Sequence, residues 1–161
     1  MSHWDDMKNL EINTSKLLDP YYTEIFGADI KVFNVHNENF SYDRIVCTSD
    51  RVYTVDEKAY QIKQLNTGNI VIETCKNVDL NKPGWGYTSN ADFMIVTWSD
   101  GNKLYKEILT YYMQKVLNFY RNNSKKYRKV ITWTGDNYQT EVALIPERDL
   151  DKFLLKRIIL T

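Results

Sequence analysis

Apolar residues recur along this chain in two rhythms, and the chain switches between them several times. From residue 4 to 26, Trp4, Met7, Leu10, Leu17, Leu18, Tyr21, Tyr22 and Ile25 fall at helical spacing. The stretch predicts a helix in two pieces. Asn13-Thr14-Ser15 caps the second piece, Pro20 sits in its first turns and Gly27 ends it. Residues 29–35 alternate as a strand does, and His36-Asn37-Glu38-Asn39 reads as a turn. Two β-branched runs, 45–47 and 52–55, then flank Thr48-Ser49-Asp50-Arg51, which is a hairpin signal. The second arm is expected to run on through Ala59, Tyr60 and Ile62 to Leu65, before Asn66-Thr67-Gly68-Asn69 turns the chain.

Beyond that turn, residues 70–75 (IVIETC) read as a buried strand interrupted by Glu73. Residues 81–90 form a loop in which Pro83, Gly84 and Gly86 surround Trp85. Residues 91–98 are a strongly apolar strand, turned by Asp100-Gly101-Asn102. The best helical stripe of the chain spans 103–122, through Leu104, Ile108, Tyr112, Val116 and Phe119 or Tyr120. Residues 129–134 and 139–145 predict two strands joined by Gly135-Asp136-Asn137, with Pro146 stopping the second. Residues 148–160 predict a short helix with Leu150, Phe153, Leu154 and Ile158 inward. Helix, strands, helix, strands, helix is an α+β (mixed α/β) order, a central mixed sheet flanked by helices.

The 161 residues, 43% hydrophobic and 26% charged, suffice for one domain, 1–161, with a genuine core. Lysine and arginine together number 21, as do aspartate and glutamate, so the formal charge is zero. Neutrality counts against tight non-specific binding of duplex nucleic acid unless the charge is segregated. It is segregated at Lys125, Lys126, Arg128 and Lys129, around Tyr127 and just after Arg121. That cluster suits a phosphate backbone, or equally a solvated loop. Trp85 between glycines can stack on a base or tuck back onto its own domain. Cys47 and Cys75 lie in apolar runs and read as free buried thiols in a reducing, cytoplasmic setting. His3 and His36 are too few and too far apart for a zinc cluster. No apolar run is long enough to suggest membrane passage.

The hairpin carries the candidate chemistry. If Ser49-Asp50 is its two-residue loop, Thr48 pairs with Arg51 and Asp43 falls opposite Asp56. Side chains alternate along a strand, so Asp43, Asp56 and Lys58 share a face and Glu57 points away. Facing carboxylates repel, and a divalent cation between them removes that penalty. A lysine two residues on can orient a water or offset charge on a phosphate. The alternative is a solvated face with ordinary surface charges. Glu73, a carboxylate in an apolar run, needs a partner, either a metal site or a lysine. Glu73 and Lys76 are three apart on a strand and point to opposite faces, so Lys58 is the better candidate lysine.

Asp43 followed by Asp56-Glu57-Lys58 resembles the signature of the PD-(D/E)xK phosphodiesterase superfamily, which includes many restriction endonucleases and resolvases. Tyr42 stands where the family's name has proline, a position that varies within it. The resemblance implies a restriction-endonuclease-like core of order α-β-β-β-α-β. It implies Asp43 and Asp56 as ligands of magnesium, or manganese, and Lys58 as the group that positions the attacking water. Glu73 is the candidate further acid, with Glu11 or Glu24 from the first helix behind it. The implied function is a metal-dependent nuclease hydrolysing phosphodiester bonds, with DNA as the expected partner and a homodimer compatible with cutting two strands. The alternatives are an inactive nuclease-like module that binds nucleic acid or protein, and a structural or inhibitory interaction protein.

Overall fold

A computed structural model describes residues 3–35, 40–134 and 138–161; the expected turns at 36–39 and 135–137 lie outside the described residues. Helix α1 (His3–Leu18) runs straight through Asn13-Thr14-Ser15, so the cap expected there does not form. Thr14 and Ser15 are instead buried. The break comes at a 3-10 turn, Asp19–Tyr21, where proline loses nothing by lacking an N–H. The short α2 (Tyr22–Phe26) ends at Gly27, whose φ of 106° is open to glycine and whose N–H bonds the Thr23 carbonyl at 2.9 Å.

Strands β1 (Lys31–Asn34), β2 (Arg44–Cys47) and β3 (Val52–Gln61) form an antiparallel meander. β3 stops short of Leu65 because Gln61 and Gln64 cap a 3-10 turn, Ile62–Gln64. Then come β4 (Asn69–Asn77), the two-residue β5 (Lys82–Pro83) and α3 (Trp85–Thr88). β6 (Phe93–Ser99) leads through β7 (Leu104–Tyr112) into α4 (Met113–Asn123). β8 (Lys129–Thr134), β9 (Tyr138–Pro146), α5 (Glu147–Leu150) and β10 (Leu154–Ile159) complete the chain.

The expected α+β architecture with a central mixed sheet flanked by helices is present. The central sheet has six strands in the order β1-β2-β3-β6-β7-β10, with β3 and β6 parallel and the other neighbours antiparallel. The strands at β4, β8 and β9 are where the sequence places them, but they make a second, four-stranded sheet, β5-β4-β9-β8. One face of the central sheet packs on Leu18, Tyr22 and Ile25 of α1 and α2. The other packs on Ile70, Ile72, Ala143 and Ile145 of the second sheet and on Val116, Leu117 and Tyr120 of α4. β6 lies in the middle and is buried at every position, which is why its sequence is apolar without alternation.

The two largest departures from expectation have the same reason. Residues 104–112 are a strand, not the first half of a helix. Leu104, Ile108 and Tyr112 are four apart, a spacing that lies on one side of a helix and also on one face of a strand. The residues between them decide. Leu109 and Tyr111 enter the core on the opposite face, which a helix stripe would leave in water. A bulge at Lys106 (φ 65°) shifts the pairing from Thr97↔Ile108 to Trp98↔Tyr105. The second half of the stripe, Val116 and Tyr120, is helical as expected. Likewise residues 148–160 are not one helix. α5 and a 3-10 turn, Asp151–Phe153, send Leu150 into one core, and β10 then pairs with β7 and sends Ile158 into the other.

Cys47 and Cys75 are both free, and half-buried where full burial was expected. No helix among the described residues is long and apolar enough to cross a membrane.

Candidate active site

From Arg44 to Cys47 the hairpin register is the one its loop predicts, but the expected pairing of Asp43 with Asp56 is not made. Arg44 pairs with Val55, Ile45 with Thr54, Val46 with Tyr53 and Cys47 with Val52, and the Thr48 N–H meets the Arg51 carbonyl at 2.8 Å. At the far end the ladder is offset. The Asp43 N–H also donates to Val55, at 2.8 Å, so Asp43 and Arg44 share one partner. The Asp43 carboxylate in turn accepts the Glu57 N–H at 2.7 Å. Asp43 therefore sits at the lip of the sheet, acting on Asp56 and Lys58 on one side and on Glu57 on the other.

Asp56 and Lys58 face the second sheet. They form an ion pair at 2.8 Å, and Asp56 is 6% exposed. Burial pushes the Asp56 carboxyl up to about 7; Lys58 opposes that shift and the adjacent Asp43 carboxylate adds to it. Burial also works against charge on Lys58, yet Asp56, and then Asp43 and Glu73, hold its pKa above the ordinary value. The Lys58 ammonium lies 4.5 Å from the centre of the Trp85 ring, a cation–π contact. Trp85 is placed by its own backbone, whose N–H donates to Glu73 Oε1 at 3.3 Å. That close approach of α3 to β4 needs Gly84 and Gly86. A Cβ on Gly84 would stand 2.4 Å from the Glu73 carbonyl oxygen, and one on Gly86 2.6 Å from Ile72 Cγ2. The Tyr60 hydroxyl, two residues beyond Lys58, accepts the Val71 N–H at 2.8 Å and so ties β3 to β4 beside the site.

Glu57 faces α1, as alternation requires. It accepts hydrogen bonds from the Ser15 hydroxyl, from the Tyr22 hydroxyl at 2.6 Å and from Arg44 Nε at 3.0 Å. Arg44 continues to the Ser15 carbonyl at 2.7 Å and to Asp19 at 2.8 Å. Burial pushes the Glu57 carboxyl up, against these donors, and pushes the Tyr22 hydroxyl well up, with Glu57 adding to it. A cavity of about 30 Å³ remains beside this network, lined by Glu11, Thr14, Ser15, Asp43, Glu57 and Ala59. The network locks α1 to the hairpin and holds the backbone N–H on which Asp43 rests.

Of the residues singled out in the sequence, the structure brings together Asp43, Asp56, Lys58, Glu73 and Trp85, with Glu11 in the cavity behind Asp43. Glu24 is not among them; it is exposed on α2 against Lys156, 3.9 Å away. Trp85 is half-buried and tucked back with Lys58 over its ring, the second of the two roles its sequence allows. Lys76 is exposed. Lys125, Lys126, Arg128 and Lys129 are exposed at the start of β8, the far edge of the second sheet, with β9 between them and Glu73 on β4. Arg121 is not part of that surface, because its Nε donates to the Gly86 carbonyl at 3.2 Å. His36 lies outside the described residues. Sequence reasoning missed Arg44, although a charged residue opening an apolar strand was a signal that it is buried with a partner.

The donor set fits one hard divalent cation. Half-buried Asp43 and buried Asp56 bring two carboxylates together, and magnesium needs one or two such groups, completing its shell with water and phosphate oxygens. Among the described residues no three His, Cys, Asp or Glu side chains form a complete cage.

No family model and no curated protein matches this sequence. A solved structure described as that of a bacterial homing endonuclease aligns with 86% of this chain and 77% of its own, at a TM-score of 0.46 and 13% identity.

Proposed function

We propose that this protein is a metal-dependent nuclease of PD-(D/E)xK type that hydrolyses phosphodiester bonds of DNA. One observation carries the reading: Asp56 and Lys58 share a face of β3 as a buried ion pair, with the Asp43 carboxylate pressed against Asp56. Buried like charges are costly for a fold and are characteristic of sites that bind and react. The meander β1-β2-β3 after α1 and α2, and β6 parallel to β3, are in keeping with the family resemblance, although β4, β5 and the single-turn α3 stand between β3 and β6.

On this reading Asp43 and Asp56 hold magnesium or manganese, which when bound polarises the phosphate and the attacking water. Lys58 stays cationic, donates hydrogen bonds toward that water and offsets charge developing on the phosphate oxygens. Trp85 and Glu73 add to Asp56 in holding the ammonium. Glu57 fixes Asp43 through its backbone N–H.

The test is cleavage of labelled single- and double-stranded DNA and RNA in magnesium, manganese or EDTA, wild type beside Lys58→Ala. Metal-dependent cutting that falls by roughly a hundredfold or more in the variant is expected. Equal rates from the two proteins would remove Lys58 from the chemistry. No cutting in any condition by folded wild type would leave an inactive binding module.

A further inference from the structure

The face of β8 is not absorbed by the site. Trp133 is 67% exposed and Ile131 56% exposed, and Trp133 is the most exposed large hydrophobic side chain among the described residues. β8 is an edge strand, with β9 as its neighbour in the sheet. Lys129, Ile131 and Trp133 are two apart and share a face, and their partners on β9 are Ala143, Glu141 and Gln139. Ala143 is fully buried in the core between the sheets. The row therefore starts over that core and runs outward past its end, on the face of the second sheet that looks toward Asp56 and Lys58. A chain of contacts joins the two places. Glu73 is followed by Thr74, whose hydroxyl donates to Glu141 at 2.6 Å, and Glu141 stands opposite Ile131. The Glu141 charge is offset by Lys129 at 3.5 Å. At the near end of the row Lys125, Lys126 and Arg128 are exposed.

We propose that this face of β8 binds a single-stranded segment of nucleic acid, its bases packing on Trp133 and Ile131 and its phosphates on Lys125, Lys126 and Arg128. The proposal rests on the nuclease reading and adds to it the path by which a strand leaves the site. Two observations point to this occupant. An indole standing free on a strand edge offers a flat π-face, which stacks on bases whose own faces are open and not on those of an intact duplex. The flanking cations complement phosphates, in a chain whose net charge is zero, so the patch is local rather than a property of the whole surface. Stacking on an aromatic face is indifferent to base identity, so binding should tolerate sequence.

The experiment is fluorescence anisotropy of a labelled oligothymidylate and of a duplex of equal length, in EDTA so that cleavage plays no part. It compares wild type, Trp133→Ala, Trp133→Phe and the pair Lys125→Ala with Lys126→Ala. The single strand is expected to bind more tightly than the duplex. Trp133→Ala should weaken it by about tenfold or more and Trp133→Phe should restore most of the loss. The lysine pair should reduce the slope of log K against log salt by about 1.4. Binding that ignores Trp133→Ala, a preference for duplex, or no binding by wild type overturns the proposal. So does a wild-type dimer that Trp133→Ala dissociates, which would assign the patch to a second copy. Binding without any cleavage would remove the nuclease reading and leave the platform. Cleavage with binding indifferent to Trp133 would remove the platform alone.

Discussion

Asp56 shows how burial turns one side chain into a pH-sensitive element. Its carboxyl is raised from the ordinary 3.8 to about 7, so the folded protein takes up a proton there before the unfolded chain does. The sign follows: this group adds stability as pH falls through about 7 toward 4 and withdraws it as pH rises through 7. The metal-free protein should therefore melt at higher temperature at about pH 5.5 than at about pH 8 through this group, and Asp56→Asn should flatten that difference. An unchanged pH profile in Asp56→Asn would place the titration elsewhere. Because a proton and a cation compete for the same oxygens, magnesium affinity measured by calorimetry should fall as pH drops below about 7.

The contact of α1 with the β2–β3 hairpin depends on one buried arginine. Arg44 is 3% exposed and Glu57 7%, and their pairing helps satisfy a largely buried carboxylate. Arg44→Ala leaves Glu57 buried and underpaired, and should cost about 3–5 kcal/mol by urea unfolding. A loss below about 1 kcal/mol would mean that Ser15 and Tyr22 suffice to hold it. At α3 the limit is steric rather than electrostatic. Gly84→Ala drives a methyl into the Glu73 carbonyl, and should cost about 1–3 kcal/mol as α3 lifts from β4 and takes Trp85 off Lys58. The hairpin was legible because a two-residue loop and period-two alternation fix a register locally. The span 104–112 was not, since its every-fourth apolar spacing is common to helix and strand, and what separates them is a second buried face covered by the second sheet and α4.

Across the whole molecule, the candidate site lies where two sheets meet, with carboxylates and a lysine from a hairpin in one and supports from the other. A cation that binds the folded form alone should raise its stability by mass action, about 2.7 kcal/mol at a hundred times the dissociation constant. Thermal melts in magnesium or manganese should show that rise for wild type and none for Asp56→Asn. A melting temperature indifferent to both metals would argue against a competent site.

Residues 42–60 alone determined that Asp56 and Lys58 share a face and that Glu57 leaves it, because alternation and a short loop are properties of neighbours in the chain. The acidic lip, the free thiols and the α+β order were readable on the same local terms. Tertiary structure decided what surrounds them. Only folding brings Glu73 and Trp85 from β4 and α3 to Lys58, pairs Arg44 of β2 with Glu57 and Asp19, and carries Glu24 away to Lys156. Burial itself, which lifts Asp56 to about 7 and keeps a lysine charged beside it, arises from packing two sheets face to face, and no local spacing in the chain encodes it.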